Sequence, residues 1–338
     1  MLAKILFVSD LHKVCKDGTS IKGKLEVQSL IQEDLLQYIK NNGVTHVILL
    51  GDWYDRGFHD MCATFGAMQE DMALSNSVGG EVYLCVGNHF YLERDDNPEM
   101  YMIQPNAFLK PKLPIKCPEK PIFKVVNDLR IGTVKISFFH FNKMNKVYTN
   151  TRESDVTYHI GVYHDDVTLP TAIRQREGIN KETSSAYLNE VYKNIDLGIH
   201  GHIHTKVGVS GVGLISGKQV PIIVPGSLGI TQNSESYKHT GVNLPVLTIM
   251  DDSTVDVQFA EFSTHLDKLK FYTKAPKTAL FNQADKQDVT FTPSTLKSLP
   301  AYLSSRGYNE RQLNLISAAC TRTLNLVEVV KILTEDPK

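Results

Sequence analysis

The strongest constraint on the fold of this chain is an alternation of short apolar runs with stretches of helical periodicity. Ile5–Val8, Val44–Leu50 and Glu81–Val86 have the length and composition of buried strands. Leu25–Asn42 carries apolar residues at helical spacing, and Cys62–Leu74 indicates a second helix. Strands that alternate with helices in this way predict an α/β fold with parallel strands.

The rest of the chain predicts further strands and then changes in character. These strands are expected at Phe123–Val126, Leu129–Thr133, Lys135–Phe141, Thr157–Tyr163, Asp196–His200, Val220–Val224, Leu247–Asp251 and Asp256–Phe262, with a short helix at Ser184–Tyr192. Prolines predict irregular surface chain over residues 98–121, and Gly208–Gly217 indicates a β-turn. From residue 263 a polar connection leads to helical segments near Ser294–Ser304, Glu310–Ala319 and Leu324–Leu333. We therefore predict a main domain at 1–262 and a small α-rich C-terminal extension at 263–338.

Composition excludes several classes of protein. Apolar residues make up 42% and charged residues 22% of the chain, as in a soluble globular protein, and no apolar run approaches the roughly 20 residues of a membrane span. Met1–Ser9 is too short for a signal peptide, so we interpret it as the first strand. Five scattered cysteines without a CxxC pair argue against disulfides and structural zinc, and favour a reduced, cytoplasmic protein. A net charge of -1 means that a nucleic-acid partner would need a local basic patch.

Acidic and imidazole residues recur where the predicted strands end, which is where α/β sheets place their sites. They are Asp10, His12, Asp52, Asp55, Asn88, His89, His164, His200, His202 and His204. Alternate residues of an extended chain point to the same side, so Asp10 with His12, and His202 with His204, can each approach one metal. His140 and His200 are ambiguous and are candidates for supporting groups, whereas the other histidines outside the set are interpreted as structural.

The donor types indicate which metals would bind. Carboxylate, imidazole and amide ligands together suit Mn²⁺, Fe²⁺ or Zn²⁺ better than Mg²⁺ or Ca²⁺. The seven candidate ligands that we take from this set are Asp10, His12, Asp52, Asn88, His164, His202 and His204. Seven ligands are too many for one ion with an open position, but they fit two ions if one carboxylate bridges them.

These residues resemble the motifs of the calcineurin-like metallophosphoesterase superfamily, which are D-x-H, G-D-x-x-D, G-N-H, a lone His after a strand, and G-H-x-H. The corresponding segments are Asp10–His12, Gly51–Asp55, Gly87–His89, His164 and Gly201–His204. The resemblance covers roughly residues 1–262 and implies an α/β sandwich of two mixed β-sheets flanked by helices. It also implies metal-dependent hydrolysis of phosphoesters.

The resemblance implies a role for each residue of these motifs. Asp10, His12 and His204 would hold one metal; Asn88, His164 and His202 would hold the other; Asp52 would bridge the two. His89 would protonate the leaving group, Asp55 would orient His89, and Arg56 would pair with a phosphate oxygen, with an exposed salt bridge as the alternative for Arg56.

Two positions depart from the family pattern. Phe90 stands where the family usually has an acidic residue after Gly-Asn-His, and Tyr163 stands where a glycine commonly precedes the lone histidine. Because every ligand is present and Asp55 remains to support His89, we expect activity with an altered pH dependence.

Within the superfamily the chain is most similar to Mre11/SbcD-type DNA nucleases, especially those of bacteriophages. The similarity rests on the proline-rich 98–121 stretch, on Val224–Ser227 before a polar loop, and on the C-terminal extension. It implies a DNA substrate, Mn²⁺, roles in recombination or repair, a partner SMC/Rad50-like ATPase, a homodimer and a location in the host cytoplasm. Lys110, Lys112, Lys116, Lys120 and Lys124 would contact phosphates, with a solvated loop as the alternative. Tyr101 and Phe108 would stack on bases or fill a core, and the apolar stripe of Leu324–Leu333 would dock on a partner or on its own domain.

Two other functions fit the same motifs. Small-molecule and protein phosphoesterases of this superfamily share the metals, and the Gly51–Gly57 run is similar to protein-phosphatase and dinucleotide-polyphosphate hydrolase signatures. A metal-binding module without catalysis is the third alternative, and Phe90 is the feature that favours it.

Overall fold

The computed structural model describes residues 1–14, 21–55, 61–94, 97–102, 122–141, 151–165, 168–170, 173, 183–229 and 241–271. These residues all fall within one compact unit, Met1–Gln104 with Ile122–Ala275. In the described part of the chain, no helix combines the length and apolar character needed to cross a bilayer.

Strands dominate the described part of the chain. In chain order they are β1 (Ala3–Val8), β2 (Ile21–Lys22), β3 (His46–Leu49), β4 (Val82–Leu84), β5 (Tyr91–Arg94), β6 (Asn97–Met102), β7 (Asp128–Ile131), β8 (Val134–Phe139), β9 (Tyr158–Tyr163), β10 (Leu197–His200), β11 (Gly208–Gly213), β12 (Gln219–Val224), β13 (Gly241–Ile249), β14 (Val255–Ser263) and β15 (Lys270–Phe271). The helices are α1 (Lys24–Asn42), α2 (Met61–Ser77) and α3 (Ser185–Tyr192), with 3-10 turns at Asn88–Phe90 and Leu266–Lys268.

Two mixed sheets form the frame. One has the strand order β14-β13-β1-β3-β4, in which β1, β3 and β4 are parallel to one another, β13 is antiparallel to β1, and β14 is antiparallel to β13. The other has the order β11-β12-β10-β9-β8-β7, in which the four inner strands are parallel and the edge strands β7 and β11 antiparallel. Shorter pairs form between β15 and β2 and between β5 and β6.

An apolar core joins the two sheets. Ile5, Phe7 and Ile48 of the first sheet belong to the same buried cluster as Ile136 and Val162 of the second. Full burial of an aliphatic or aromatic side chain contributes about 1.5–3 kcal/mol. The expected sandwich of two mixed sheets is therefore confirmed.

Helices cover the outer faces. Along α1, the residues Val27, Ile31, Leu35 and Ile39 are buried at four-residue spacing, and Gly43 ends the helix in the left-handed conformation at φ 62°, as predicted. α1 packs against α2 and β14. On the second sheet, α3 begins at Ser184, whose Oγ accepts a hydrogen bond from the Tyr187 N–H at 3.2 Å.

Three predicted segments differ from the structure. Gly208–Gly213 is a strand, because its ladder with β12 supplies hydrogen bonds that its glycine content does not indicate locally; the turn comes after it, where Gly217 N donates to Leu214 O. Residues 98–102 belong to β6 rather than to irregular chain, and residues 103–121 lie outside the described part. In Phe123–Val126 only Lys124 makes a bridge, to Tyr83, so this segment adds no strand.

The beginning of the predicted extension packs on the main unit. His265 Nε2 lies 2.8 Å from Asp34 Oδ2 on α1, Leu269 is buried, and β15 pairs with β2. Residues 272–338, including the three predicted C-terminal helices, lie outside the described part. The division at residue 262 therefore stays a prediction.

Candidate metal centre

The predicted ligands follow the carboxyl ends of parallel strands from both sheets. Asp10 and His12 follow β1, Asp52 follows β3, and Asn88 follows β4; His164 follows β9, and His202 and His204 follow β10. Because the two sheets pack face to face, these loops meet at one edge of the sandwich. The structure thus brings together residues that are up to 194 positions apart in the chain (Asp10 to His204).

One group of candidate ligands consists of Asp10, His12 and His204, whose ligand atoms lie within 4.8 Å of one another. The Nε2 atoms of His12 and His204 are 2.9 Å apart. Two nitrogens that bind one ion at about 2.0–2.1 Å lie about 3 Å apart, so this separation suits a shared metal. Asp10 is fully buried; its Oδ2 accepts from His202 N at 2.7 Å, whereas its Oδ1 has no hydrogen-bond partner in the described structure. A buried carboxylate oxygen left without a partner fits a cation ligand.

A second group consists of Asp52, His164 and His202, again with ligand atoms within 4.8 Å of one another. Asn88 lies in the same place, since its Oδ1 is 3.2 Å from His164 Nε2 and 3.0 Å from His202 Nδ1. His164 Nδ1 is 2.7 Å from the carbonyl oxygen of Leu50. That hydrogen bond accounts for the Nδ1 proton, so Nε2, which lies 3.2 Å from Asp52 Oδ2, is the ring nitrogen that would bind a metal.

Asp52 connects the two groups. It also belongs to a third set of close ligand atoms with His12 and His89. A carboxylate in this position can contribute to both ions, as the resemblance implied. All seven predicted ligands are thus assembled in one place, and their donor types fit a pair of divalent ions.

Burial and neighbouring charges shift the pKa values of the candidate ligands away from their usual values. Burial raises the pKa of the Asp10 carboxyl to about 6 and lowers the pKa of His12 to about 3. Burial also opposes the charged form of His164, but Asp52 and Asp10 outweigh it and raise the pKa of His164 to about 9. Burial likewise opposes the charged form of Asp52, but the charge and hydrogen bond of His164 hold the pKa of Asp52 well below its usual value. Divalent cations would neutralise these carboxylates and accept the imidazole lone pairs.

The backbone of this region is held in unusual conformations. His12, Asp52 and His202 have φ values of 50°, 35° and 72°, in the left-handed region that side chains rarely adopt. Such strain persists where the surrounding structure enforces it, and it clusters at functional sites. Close packing explains why the motifs have glycine at two positions. A Cβ atom at Gly87 would lie 2.1 Å from Asp52 Oδ1, and one at Gly201 would lie 2.3 Å from Leu50 O.

His89 and Asp55 form a contact at the rim of the ligand cluster. His89 Nδ1 lies 2.9 Å from Asp55 Oδ1, and the two side chains are 19% and 25% exposed. His89 N donates to Asp52 Oδ1 at 2.9 Å, so the backbone beside the ring is attached to the connecting carboxylate. Asp55 therefore fixes the ring proton on Nδ1 and leaves Nε2, 3.8 Å from Asp52 Oδ2, on the ligand side. Arg56 lies outside the described residues.

The two ambiguous histidines have structural contacts. His140 accepts from Val86 N at Nδ1 and donates to Val126 O from Nε2, both at 3.0 Å, so it supports the strand end that leads to Asn88. His200 Nε2 lies 2.6 Å from the Tyr192 hydroxyl, and its ring stacks on Tyr163 with centroids 4.8 Å apart. The Tyr163 departure from the family pattern is thus accommodated in the apolar layer outside the second sheet.

Other sequence predictions are only partly within the described structure. Lys124 forms an ion pair with Glu81 at 2.6 Å, so its ammonium group already has a carboxylate partner. Lys110, Lys112, Lys116, Lys120 and Phe108 lie outside the described residues, and for Tyr101 and Phe90 the structure describes the backbone alone.

Sequence reasoning missed how Ser227 supports the site. Its Oγ lies 2.8 Å from Asp10 O, its N donates to His204 O at 3.1 Å, and Gly229 N donates to Asp10 O at 3.0 Å. The Pro225–Ser227 segment therefore ties the loop after β1 to the loop after β10. Because this role concerns the metal loops, the segment does not by itself favour a DNA substrate.

A sandwich of two mixed sheets with overlapping His/Asp ligand groups at one edge defines the class of dimetal phosphoesterases. A family model described as calcineurin-like phosphoesterase matches residues 3–206, and the chain belongs to that family. No curated protein matches the chain.

Solved structures that match the chain come from several organisms. The phosphoesterase Yfce of E. coli matches at 13% identity and a TM-score of 0.32, covering 77% of this chain and 99% of its own. A dimetal phosphatase of Danio rerio matches at 10% identity and a TM-score of 0.40, covering 78% and 98%. The NAD nucleotidase of Haemophilus influenzae matches at 11% identity and a TM-score of 0.34, covering 77% and 56%.

Proposed function

We propose that this protein hydrolyses phosphoesters with two divalent metal ions, Mn²⁺ first among the candidates. The observation that carries the proposal is the convergence of the His/Asp ligand groups, connected by Asp52, beside the contact between His89 and Asp55. One ion would be held by Asp10, His12 and His204. The other would be held by Asn88, His164 and His202, with Asp52 shared between them.

The chemistry follows from these residues. When bound, two divalent ions polarise the phosphoryl group and lower the pKa of the water that attacks it. His89 would donate its proton from Nε2 to the departing oxygen, and Asp55, which accepts from Nδ1, would stabilise the imidazolium form needed for this step. A general acid matters most for a basic leaving group such as an alkoxide, so alkyl and sugar phosphoesters fit this site. If Arg56 reaches the site, its guanidinium would pair with a non-bridging phosphate oxygen.

A small phosphoester is the first candidate substrate. Cleavage of a long polyanion depends on unpaired basic side chains. Lys13, Lys124, Lys135 and Lys218 each lie within ion-pair distance of a carboxylate, so these four lysines add little attraction for a polyanion. The net charge of -1 adds no attraction for a polyanion.

DNA is the second candidate, in keeping with the similarity to Mre11/SbcD-type nucleases. The sequence observation that favours it is the run of lysines among the prolines of residues 98–121. In that case an SMC/Rad50-like ATPase, or a second copy of the chain, would be the partner of the C-terminal extension, and the protein would act on DNA in the cytoplasm.

The test is turnover of bis-p-nitrophenyl phosphate and of labelled linear double-stranded and single-stranded DNA, each with Mn²⁺. The wild type is compared with His89→Ala and with His46→Ala, a histidine that contacts Thr45 and Tyr83 away from the ligands. On DNA, whose leaving group is an alkoxide, we expect His89→Ala to lower kcat by about 10²–10⁴-fold. On the nitrophenyl ester, whose leaving group is weakly basic, we expect a smaller loss, and His46→Ala should leave both rates unchanged.

The outcomes separate the candidates. Turnover of the small ester with intact DNA supports the first substrate, and DNA cleavage that falls steeply with salt supports the second. Equal rates for wild type and His89→Ala on DNA or on another alkyl ester would refute the proposed role of His89. Mn²⁺ binding without turnover of either substrate would favour the non-catalytic alternative.

A further inference from the structure

We propose that Asp71, on α2, is a positioning residue for the metal centre, because one buried carboxylate connects the two loops that carry His12 and Asp52. The inference rests on the proposed metal site and is independent of which phosphoester is the substrate. It concerns a residue that none of the sequence motifs includes.

Asp71 accepts hydrogen bonds from three side chains and is itself fully buried. Its Oδ1 accepts from Lys13 Nζ at 2.7 Å and from Trp53 Nε1 at 2.9 Å, and its Oδ2 accepts from the Tyr54 hydroxyl. The two oxygens of one carboxylate therefore fix donors from two separate loops.

Each donor is the chain neighbour of a residue of the site. Lys13 follows His12, Trp53 follows Asp52, and Tyr54 precedes Asp55. The same loops are also joined through the backbone: His12 N donates to Asp52 O, Lys13 N to Trp53 O, and Asp55 N to Lys13 O, all at 2.9 Å. A displacement of Asp71 would therefore move His12, Asp52 and Asp55 together.

The buried ion pair between Lys13 and Asp71 is not explained by the stability of the fold alone. Lys13 is completely buried, with Glu70 as a second carboxylate at 3.1 Å and the Trp53 ring centroid 5.1 Å from its Nζ. A buried ion pair is often no more stabilising than well-packed apolar side chains, but its geometry is more specific. His12 and Asp52 hold left-handed backbone conformations, which need such outside restraint. We infer that the Lys13–Asp71 pair supplies it.

The test is Mn²⁺ binding to the full chain, measured by electron paramagnetic resonance titration, for wild type and Asp71→Asn. The substitution keeps the size of the side chain but removes its charge and one acceptor. We expect the Mn²⁺ affinity to fall about tenfold or more, as when supporting partners of metal ligands are changed. The thermal unfolding midpoint of the metal-free protein is measured alongside.

Asp196→Asn is the matched control. Asp196 also accepts from three donors, namely Lys218 Nζ at 2.9 Å, Arg152 Nη1 at 2.8 Å and His159 N at 2.9 Å, but it precedes β10 instead of following it. We expect this variant to lower the unfolding midpoint and to keep the wild-type Mn²⁺ affinity. If Asp71→Asn also lowered only the midpoint, Asp71 would be merely structural and the inference would be wrong.

Tyr54→Phe keeps the test decisive if Asp71→Asn does not fold. It removes one donor to Asp71 and should weaken Mn²⁺ binding in the same direction by a smaller factor; wild-type affinity in a folded Tyr54→Phe would overturn the inference. Wild-type protein that binds no Mn²⁺ would refute the metal centre itself. Normal binding by the wild type and by every folded variant would refute the role of Asp71 alone.

Discussion

At the scale of single residues, the ligand cluster combines strained backbone with very close packing. His12, Asp52 and His202 hold positive φ values, and the glycines of the motifs leave space that their neighbours fill. Close packing of this kind fixes ligand atoms before any metal binds. A change of one methyl group at such a place should therefore be detectable as a change in metal affinity.

Gly87→Ala tests this packing. The added Cβ atom would lie 2.1 Å from Asp52 Oδ1, so the connecting carboxylate must move. We expect Mn²⁺ affinity to fall at least about tenfold, with a stability loss of about 1–3 kcal/mol from overpacking. Gly211→Ala is the control, because the nearest atom to its Cβ would be 3.7 Å away. Titration calorimetry measures the Mn²⁺ affinity of both variants. A wild-type affinity in Gly87→Ala would contradict the account.

The pH dependence of metal binding follows from His164. In the metal-free protein Asp52 and Asp10 raise the pKa of His164 to about 9 against the effect of burial, so its ring is a protonated imidazolium at neutral pH. A ligand imidazole must be neutral, so binding releases this proton, and affinity should rise with pH up to about 9. Below about pH 6 the raised pKa of Asp10 adds a second proton to displace. Calorimetry in two buffers of different ionisation enthalpy measures the release; affinity that stays constant between pH 6.5 and 8.5 would contradict it.

At the scale of elements, the short apolar runs of the sequence predicted the strands that are buried on both faces. β1 and β3 follow their apolar runs closely, and their carboxyl ends carry the predicted ligands. β11 could not be predicted in this way, because its glycine-rich sequence becomes a strand only through its ladder with β12. Asp71 was also not predictable, because an acidic residue on a helix has the same local sequence pattern whether it faces solvent or a buried lysine.

The segment after β14 gives a prediction at this scale. Leu269 is 8% exposed and lines a small cavity together with Val27 of α1 and Leu11 of the loop after β1. Leu269→Ala should therefore destabilise the folded protein by about 2 kcal/mol or more. Ile215→Ala, at a side chain that is 72% exposed, should change stability by less than about 0.5 kcal/mol. Urea unfolding measures both. Equal effects would mean that the start of the predicted extension does not pack on the main unit.

At the scale of the whole molecule, each sheet supplies part of the site. The first sheet carries Asp10, His12, Asp52 and Asn88, and the second carries His164, His202 and His204. The sandwich could be anticipated because family resemblance linked the motifs to this architecture. The identity of the substrate could not, since it depends on surfaces beyond the metal ligands.

The most direct test of the two-metal account is an electron paramagnetic resonance titration of the metal-free wild-type protein with Mn²⁺, with Asp52→Asn alongside. The account predicts two ions per chain, spin-coupled because ions that share a carboxylate lie about 3.5–4 Å apart, and a loss of that coupling in Asp52→Asn. A single ion per chain, or two ions without coupling in the wild type, would contradict it.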